Sequence, residues 1–332
     1  MARTRSRWCD GGRARVSGLA AAMVALCLAP APARSQDDDA DAACRALFSP
    51  SAVSECRLAV GAARVIQPRL AAALFAGNAV PGTASTLGMR LGTLPRMTLV
   101  VQVNAAPSEL PPILDRSDAR GERALLWGFT ADAAVGLLAG FSPMPTVGGV
   151  LSLDLIGRAG YVPLPGKEGF HDGGAWGWSL GARLGALRES FTLPGIALTG
   201  SYGRIARTAF GDPSAATTDA FFEGAMSDLR VDLAATKRLG LVGVTGGVVY
   251  DRYASDLTAG FRESFGGPQL RVDGTAVHTR WSGYVNAAWT LLIFHASAEA
   301  GWQEAPVPSG IPSTVEVDPV GWFGGISFRI SI

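Results

Sequence analysis

From Pro68 to Ile332 the chain alternates apolar residues with small or polar ones, segment after segment. Side chains on a β-strand point to opposite faces in turn, so a period of two marks strands with one face kept from water. The clearest segments are "TLVVQVNA", "LLWGFTADAAVGLLAG", "VLSLDLIGRAGY", "WGWSLGARLGAL", "SDLRVDLAAT", "RWSGYVNAAW", "FHASAEAGW" and "GWFGGISFRISI". Fainter ones are "LAAALFAG", "STLGMRLG", "IALTGSYG" and "LVGVTGGVVYDRY". Together they predict about twelve strands.

Sorting by parity separates two environments. One parity holds Leu99, Val101, Leu125, Phe129, Leu155, Leu180, Leu233, Val285, Ile326 and Phe328, with almost no charge. The other holds Arg90, Arg158, Arg183, Arg230, Arg280 and Arg329. It also holds Asp132, Asp154, Asp228, Asp232, Asp251 and Glu299. A soluble sandwich would have to bury the apolar parity, and the sequence offers no amphipathic helical layer to cover it. The expectation is therefore an apolar face toward lipid and a charged face toward a lumen. There the arginines and carboxylates can pair and keep one another ionised. Composition agrees: 17% of residues are charged and 42 are glycine, against about 25% charged in a soluble domain.

The connections add a rhythm. Short turns ("TLPR", "TLPG", "TKRLG", "WTLLI") alternate with long polar loops such as "PSELPPILDRSDARGER" and "QEAPVPSGIPSTVEVDP". "SPMPTVGG" is longer than this rhythm wants, and "GNAVPG" is shorter. Aromatic residues follow the same polarity. Trp127, Tyr161, Trp176, Trp178, Trp281, Trp302 and Trp322 fall at strand ends beside long loops, and Trp289 falls at the opposite end. Amphipathic rings favour the headgroup level of a bilayer, so these residues read as an interfacial girdle.

The N-terminus reads differently. Arg3, Arg5, Arg7, Arg13 and Arg15 precede the apolar "GLAAAMVALCLA" and the small-residue stretch "APAPARSQ", the layout of a secretory signal peptide over residues 1–35. Its removal takes away six Arg and one Asp and turns the formal charge of +1 into −4, which leaves no basic field for nucleic acid. Residues 36–66 start acidic and continue at helical spacing, with Ser49 and Ser51 as caps. They are expected as a short periplasmic or plug element before a barrel at 67–332. Cys44 and Cys56, the two cysteines after the signal, suit one disulfide in an exported chain. The longest uncharged stretch, Ala133 to Leu153, holds Pro143 and Pro145 and is not expected to span as a helix.

Alternation, loop asymmetry, girdle and closing strand together resemble bacterial outer-membrane β-barrel proteins over roughly residues 68–332. The resemblance implies an all-β, transmembrane, antiparallel up-and-down barrel in the bacterial outer membrane, with both termini periplasmic. It implies outer-membrane lipid and the barrel-assembly machinery as partners, with a small solute as a further one. The tail is similar to the insertion signal read by that machinery, but ends on Ile332, with Phe328 the nearest aromatic.

No cofactor, metal site or catalytic group is expected. His295, Ser297 and Glu299 share one face, and the H-x-S pattern is similar to that of lipid A deacylase barrels. Same-face neighbours on a strand stand about 7 Å apart, too far for direct hydrogen bonds, and the three face inward. His171 sits beside Asp172 in a loop, and no cluster has metal-ligand spacing. Three functions stay open: a narrow porin-like channel for small hydrophilic solutes, a closed structural or binding barrel acting through its loops, and a lipid-modifying enzyme.

Overall fold

The computed structural model describes residues 39–90, 94–110, 122–143, 148–164, 169–170, 173–211, 220–262, 267–304 and 320–332. The expected signal peptide, His171 and Asp172 lie outside them.

Two helices come first, α1 (Asp39–Arg45) and α2 (Pro50–Phe75). Two short strands, β1 (Met89–Arg90) and β2 (Leu94–Pro95), pair only with each other. Ten strands follow: β3 (Met97–Leu110), β4 (Glu122–Leu138), β5 (Ser152–Pro163), β6 (Gly174–Leu187), β7 (Gly195–Phe210), β8 (Ala220–Leu239), β9 (Val242–Arg262), β10 (Gln269–Leu291), β11 (Phe294–Glu304) and β12 (Val320–Ser331). Each pairs antiparallel with its sequence neighbours, and β12 pairs with β3 from Gly324↔Ala105 to Ser331↔Thr98. Closure leaves no sheet edge. At the seam Met97 and Ile332 exchange backbone hydrogen bonds of 3.0 and 2.9 Å.

The barrel has ten strands where about twelve were expected. The two that failed are "LAAALFAG" and "STLGMRLG". The first ends α2, and the second belongs to an irregular strap over residues 76–88 and to β1. Runs of Ala, Leu and Gly satisfy a period of two and a period of 3.6 equally well. Arg90 accordingly stands on β1, outside the barrel wall, and its side chain is outside the described residues.

The connections sort into two ends. Residues 139–151, 188–194, 240–241 and 292–293 link strands at the short-turn end, where β8–β9 and β10–β11 close on two-residue loops. The other end carries the long loops, shortened by a second correction. Residues 220–226 and 269–276, read as loop, are strand, so β8, β9 and β10 run 20, 21 and 23 residues while β5, β11 and β12 run 12, 11 and 12.

Parity holds along the strands. Leu99, Val101, Leu125, Phe129, Leu155, Leu180, Leu233, Val285, Ile326 and Phe328 are exposed on the outside of the barrel. The core is inside, formed by α2 and the inward residues of the long-loop half, such as Leu126, Val162, Phe210, Phe222, Leu257 and Phe261.

A helix-filled lumen as the candidate functional site

Ten strands spaced about 4.8 Å and tilted near 40° enclose a backbone diameter of about 20 Å. A helix with its side chains is about 10–12 Å across, so it fits only where both surfaces are small. The sequence supplies that match. Ala59, Gly61, Ala62, Ala63, Ala71, Ala72 and Ala73 of α2 are buried, and glycine meets the helix on the wall. A Cβ on Gly128 would lie 1.9 Å from the Ala73 carbonyl oxygen, and one on Gly321 would lie 1.2 Å from the Arg69 guanidinium.

The helix start is conventional. Ser49 caps it, its hydroxyl accepting from the Ala52 amide at 3.4 Å, and Pro50 stands in the first turn. Pro68 lies inside the helix. It has no amide hydrogen for the Arg64 carbonyl four residues back. Arg280 of β10 supplies the missing bond, its Nη2 donating to the Arg64 oxygen at 3.1 Å. The expected change of period at Pro68 therefore does not occur. The helix runs on to Phe75 because the wall repairs its broken ladder.

An amide and two arginines meet the other end. Asn104 donates to the Ala73 oxygen at 3.2 Å, Arg158 to Leu74 and Ala76 at 3.5 Å each, and Arg230 to Gly77 at 3.0 Å. Terminal carbonyls of a helix have no partner within it and carry partial negative charge, so these donors satisfy both needs. Gly77 turns with φ +76°, and a Cβ there would strike the Glu299 carboxylate.

Beyond Gly77 the strap fills the short-turn half of the lumen, and the charged wall bonds to its backbone. Glu299 accepts from the Asn78 amide at 3.1 Å, and Asp154 accepts from the Leu87 amide at 3.1 and 2.9 Å. Arg183 reaches Asn78 Oδ1 at 2.7 Å and the Thr83 oxygen at 3.3 Å, and Arg329 reaches the Pro81 oxygen at 2.6 Å. An irregular segment buried this deeply must pair its amides and carbonyls, and side chains of the barrel do so.

All the proposed lumen charges on barrel strands are buried inside: Asp132, Asp154, Arg158, Arg183, Asp228, Arg230, Asp232, Asp251, Arg280, Glu299 and Arg329. Some pair with one another, and others bond the backbone of the filling. Among the described residues, wall-to-wall ion pairs join Arg158 to Asp132 and Arg230 to Asp251, the latter at 3.5 Å. Asp232 accepts from the Tyr284 hydroxyl at 3.0 Å. The cavity left between Phe75, Gly77, Arg158, Arg230 and Asp232 measures about 20 Å³, room for about one water.

Residues 36–66, expected as a short periplasmic or plug element, are from Asp39 on part of this filling. Ala40 packs where a Cβ on Gly274 of β10 would stand, and Thr275 donates to Asp39 at 3.1 Å. Both contacts are at the long-loop end, whereas Ile332 is at the short-turn end. Cys44 and Cys56 form a buried disulfide between α1 and α2. α2 is long and apolar enough to cross a membrane by length and composition, and it is enclosed by the barrel.

The aromatic residues are outside and level. Trp127, Trp176, Trp178, Trp281, Trp302 and Trp322 are exposed. Tyr161 packs against Trp176 with ring centres 4.7 Å apart and planes tilted by 41°, and Trp302 opposes Trp322 across β11 and β12. His295, Ser297 and Glu299 do not bond to one another among the described residues. His295 Nδ1 meets the Thr290 hydroxyl at 2.9 Å, Ser297 meets Ser327 at 2.5 Å, and Glu299 holds the strap. Sequence reading missed Asn78, Arg64 and Pro68. The signal available was Pro68 followed by buried-type residues without a turn signal.

No protein-family model and no curated protein matches the chain. Solved structures similar to it include the outer membrane protease OmpT from Escherichia coli, at 11% identity and TM-score 0.33, covering 72% of this chain and 96% of that one. The translocator domain of autotransporter NalP from Neisseria meningitidis gives 13% and 0.35, covering 82% and 96%. The transport unit of the autotransporter AIDA-I from Escherichia coli gives 6% and 0.36, covering 82% and 99%. The functional reading rests on the geometry of the chain itself.

Proposed function

We propose that the chain is a bacterial outer-membrane β-barrel closed by its own N-terminal helix, a structural or binding barrel rather than a standing pore. The observation that carries this is α2 and its strap occupying the lumen, with wall side chains bonded to their backbone. Membrane residence is supported by the outer face. Leu180, Val285 and Ile326 are 64, 60 and 66% exposed, an unusual density of bare apolar surface for a soluble chain. The tryptophan row at the long-loop end bounds that surface. Insertion by the barrel-assembly machinery and contact with outer-membrane lipid belong to the same reading, as does the absence of enzymatic activity. Liposome swelling tests it: vesicles carrying the full chain should swell in isosmotic small sugars no faster than empty vesicles. Rapid swelling would sink the closed reading.

One observation favours a second reading, a narrow channel for small hydrophilic solutes that conducts when α2 shifts. Where α2 faces β8–β10, buried polar atoms on both sides lack partners among the described residues, including Gln67 Nε2 on the helix and Ser255 Oγ and Arg280 Nε on the wall. A seam with several unpartnered polar atoms resists movement less than the strap, to which five wall side chains bond. Voltage steps applied to the full chain in a planar bilayer separate the readings. Brief openings that grow with voltage support the gated channel, and silence at every voltage supports the closed barrel.

A further inference from the structure

The short-turn mouth holds a cleft of about 820 Å³ outside the filled lumen. Five basic side chains from separate parts of the wall converge on it. Arg329 of β12 and His295 of β11 are cross-strand partners. Arg238 comes from the end of β8, Arg188 from just past β6, and Arg96 from just before β3. The acid on the same rim, Glu189, accepts from the Arg238 backbone amide. Among the described residues, no carboxylate lies within ion-pair distance of Arg96, Arg188, Arg238 or Arg329. Arg329 is 4% exposed, with Nη1 on the Pro81 oxygen and Nε without a partner. His295 is held at Nδ1 by Thr290, which leaves Nε2 for the cleft.

We propose that this cleft binds a phosphate-bearing anion. Convergent guanidinium groups suit the geometry and charge of phosphate, since each offers a planar fork of donors. The basic groups outnumber the one acidic side chain on this rim, and that acid is turned to a backbone amide, so an incoming dianion relieves the repulsion between them. The volume exceeds that of a bare oxyanion and falls in the range of small-molecule sites. Leu87, Met97 and Phe191 line the same cleft and give an organic body an apolar wall. The rim is tied down, because Lys237 Nζ donates to the Ser190 and Phe191 oxygens at 3.0 and 2.7 Å. The ligand is a phosphomonoester, either a soluble organophosphate or a lipid headgroup at the bilayer edge. The proposal does not depend on whether the lumen conducts.

Calorimetric titration of the full chain in zwitterionic detergent tests it, with phenyl phosphate as the soluble probe and dihexanoyl phosphatidic acid as the lipid probe. Saturable binding of one or both is expected, and the tighter probe identifies the source. Arg96 and Arg238 are exposed, so Arg96→Ser and Arg238→Ser should fold normally and each weaken binding at least about tenfold. Arg207→Ser, at the opposite mouth and bonded to Glu223, should leave binding unchanged. No saturable binding of either probe, or equal weakening by Arg207→Ser, would overturn the site.

Discussion

Gly128 shows how closely the wall and the helix meet. Its missing side chain is the space taken by the Ala73 carbonyl. Gly128→Val should therefore destabilise the folded chain by about 1–3 kcal/mol through overpacking, read as a lower midpoint in urea. An unchanged midpoint would mean that the helix sits farther from β4 than described. Arg158 works differently, since it pairs with Asp132 and also caps the helix end. Arg158→Met leaves a buried carboxylate without its cation, a loss of about 3–5 kcal/mol, whereas the double variant with Asp132→Leu should recover most of it. Failure of the second change to rescue the first would place the value of Arg158 in the cap alone.

At the scale of elements, α2 depends on a repair made from outside it. Arg280→Met would orphan the Arg64 carbonyl, at about 1–3 kcal/mol. Adding Pro68→Ala restores an amide that can bond to that carbonyl, so the two changes should combine to less than their sum. Strict additivity in the same unfolding assay would remove the argument for why the helix passes Pro68. The disulfide belongs here too. Its 12-residue separation predicts that Cys44→Ser with Cys56→Ser frees α1, raising hydrogen exchange over residues 39–49 with the barrel strands still protected. This scale also divides what was legible in the sequence. Inward and outward parity on β3–β12 was readable, because an apolar outer face and a charged inner face differ sharply at adjacent positions. Residues 67–88 were not, because "PRLAAALFAGNAVPG" carries no charge contrast after Arg69 and Pro68 looked like a stop. What lets that segment stay helical and then cross the lumen is a set of donors more than a hundred residues away, such as Arg183, Arg230 and Arg280. The extra length of β8 was hidden for a related reason: "AFFEGAM" lacks strict alternation, because Phe221 and Phe222, on opposite faces, are both buried.

The whole molecule combines two solvents in one architecture. Outside, leucine, valine and tryptophan meet lipid in the proposed setting. Inside, a helix and strap replace water, and the charged wall serves their backbone. A strand crossing a bilayer needs about 9–11 residues, so β8–β10, at 20 to 23, rise well past it. α1 leans on that wall, with Ala40 against Gly274 and Asp39 bonded to Thr275. The central claim is that this filling closes the barrel. Planar-bilayer recording of the full-length protein tests it most directly. The account predicts membranes that stay silent under applied voltage after insertion is verified. A steady ohmic current from every inserted molecule, with residues 39–88 intact, would contradict it.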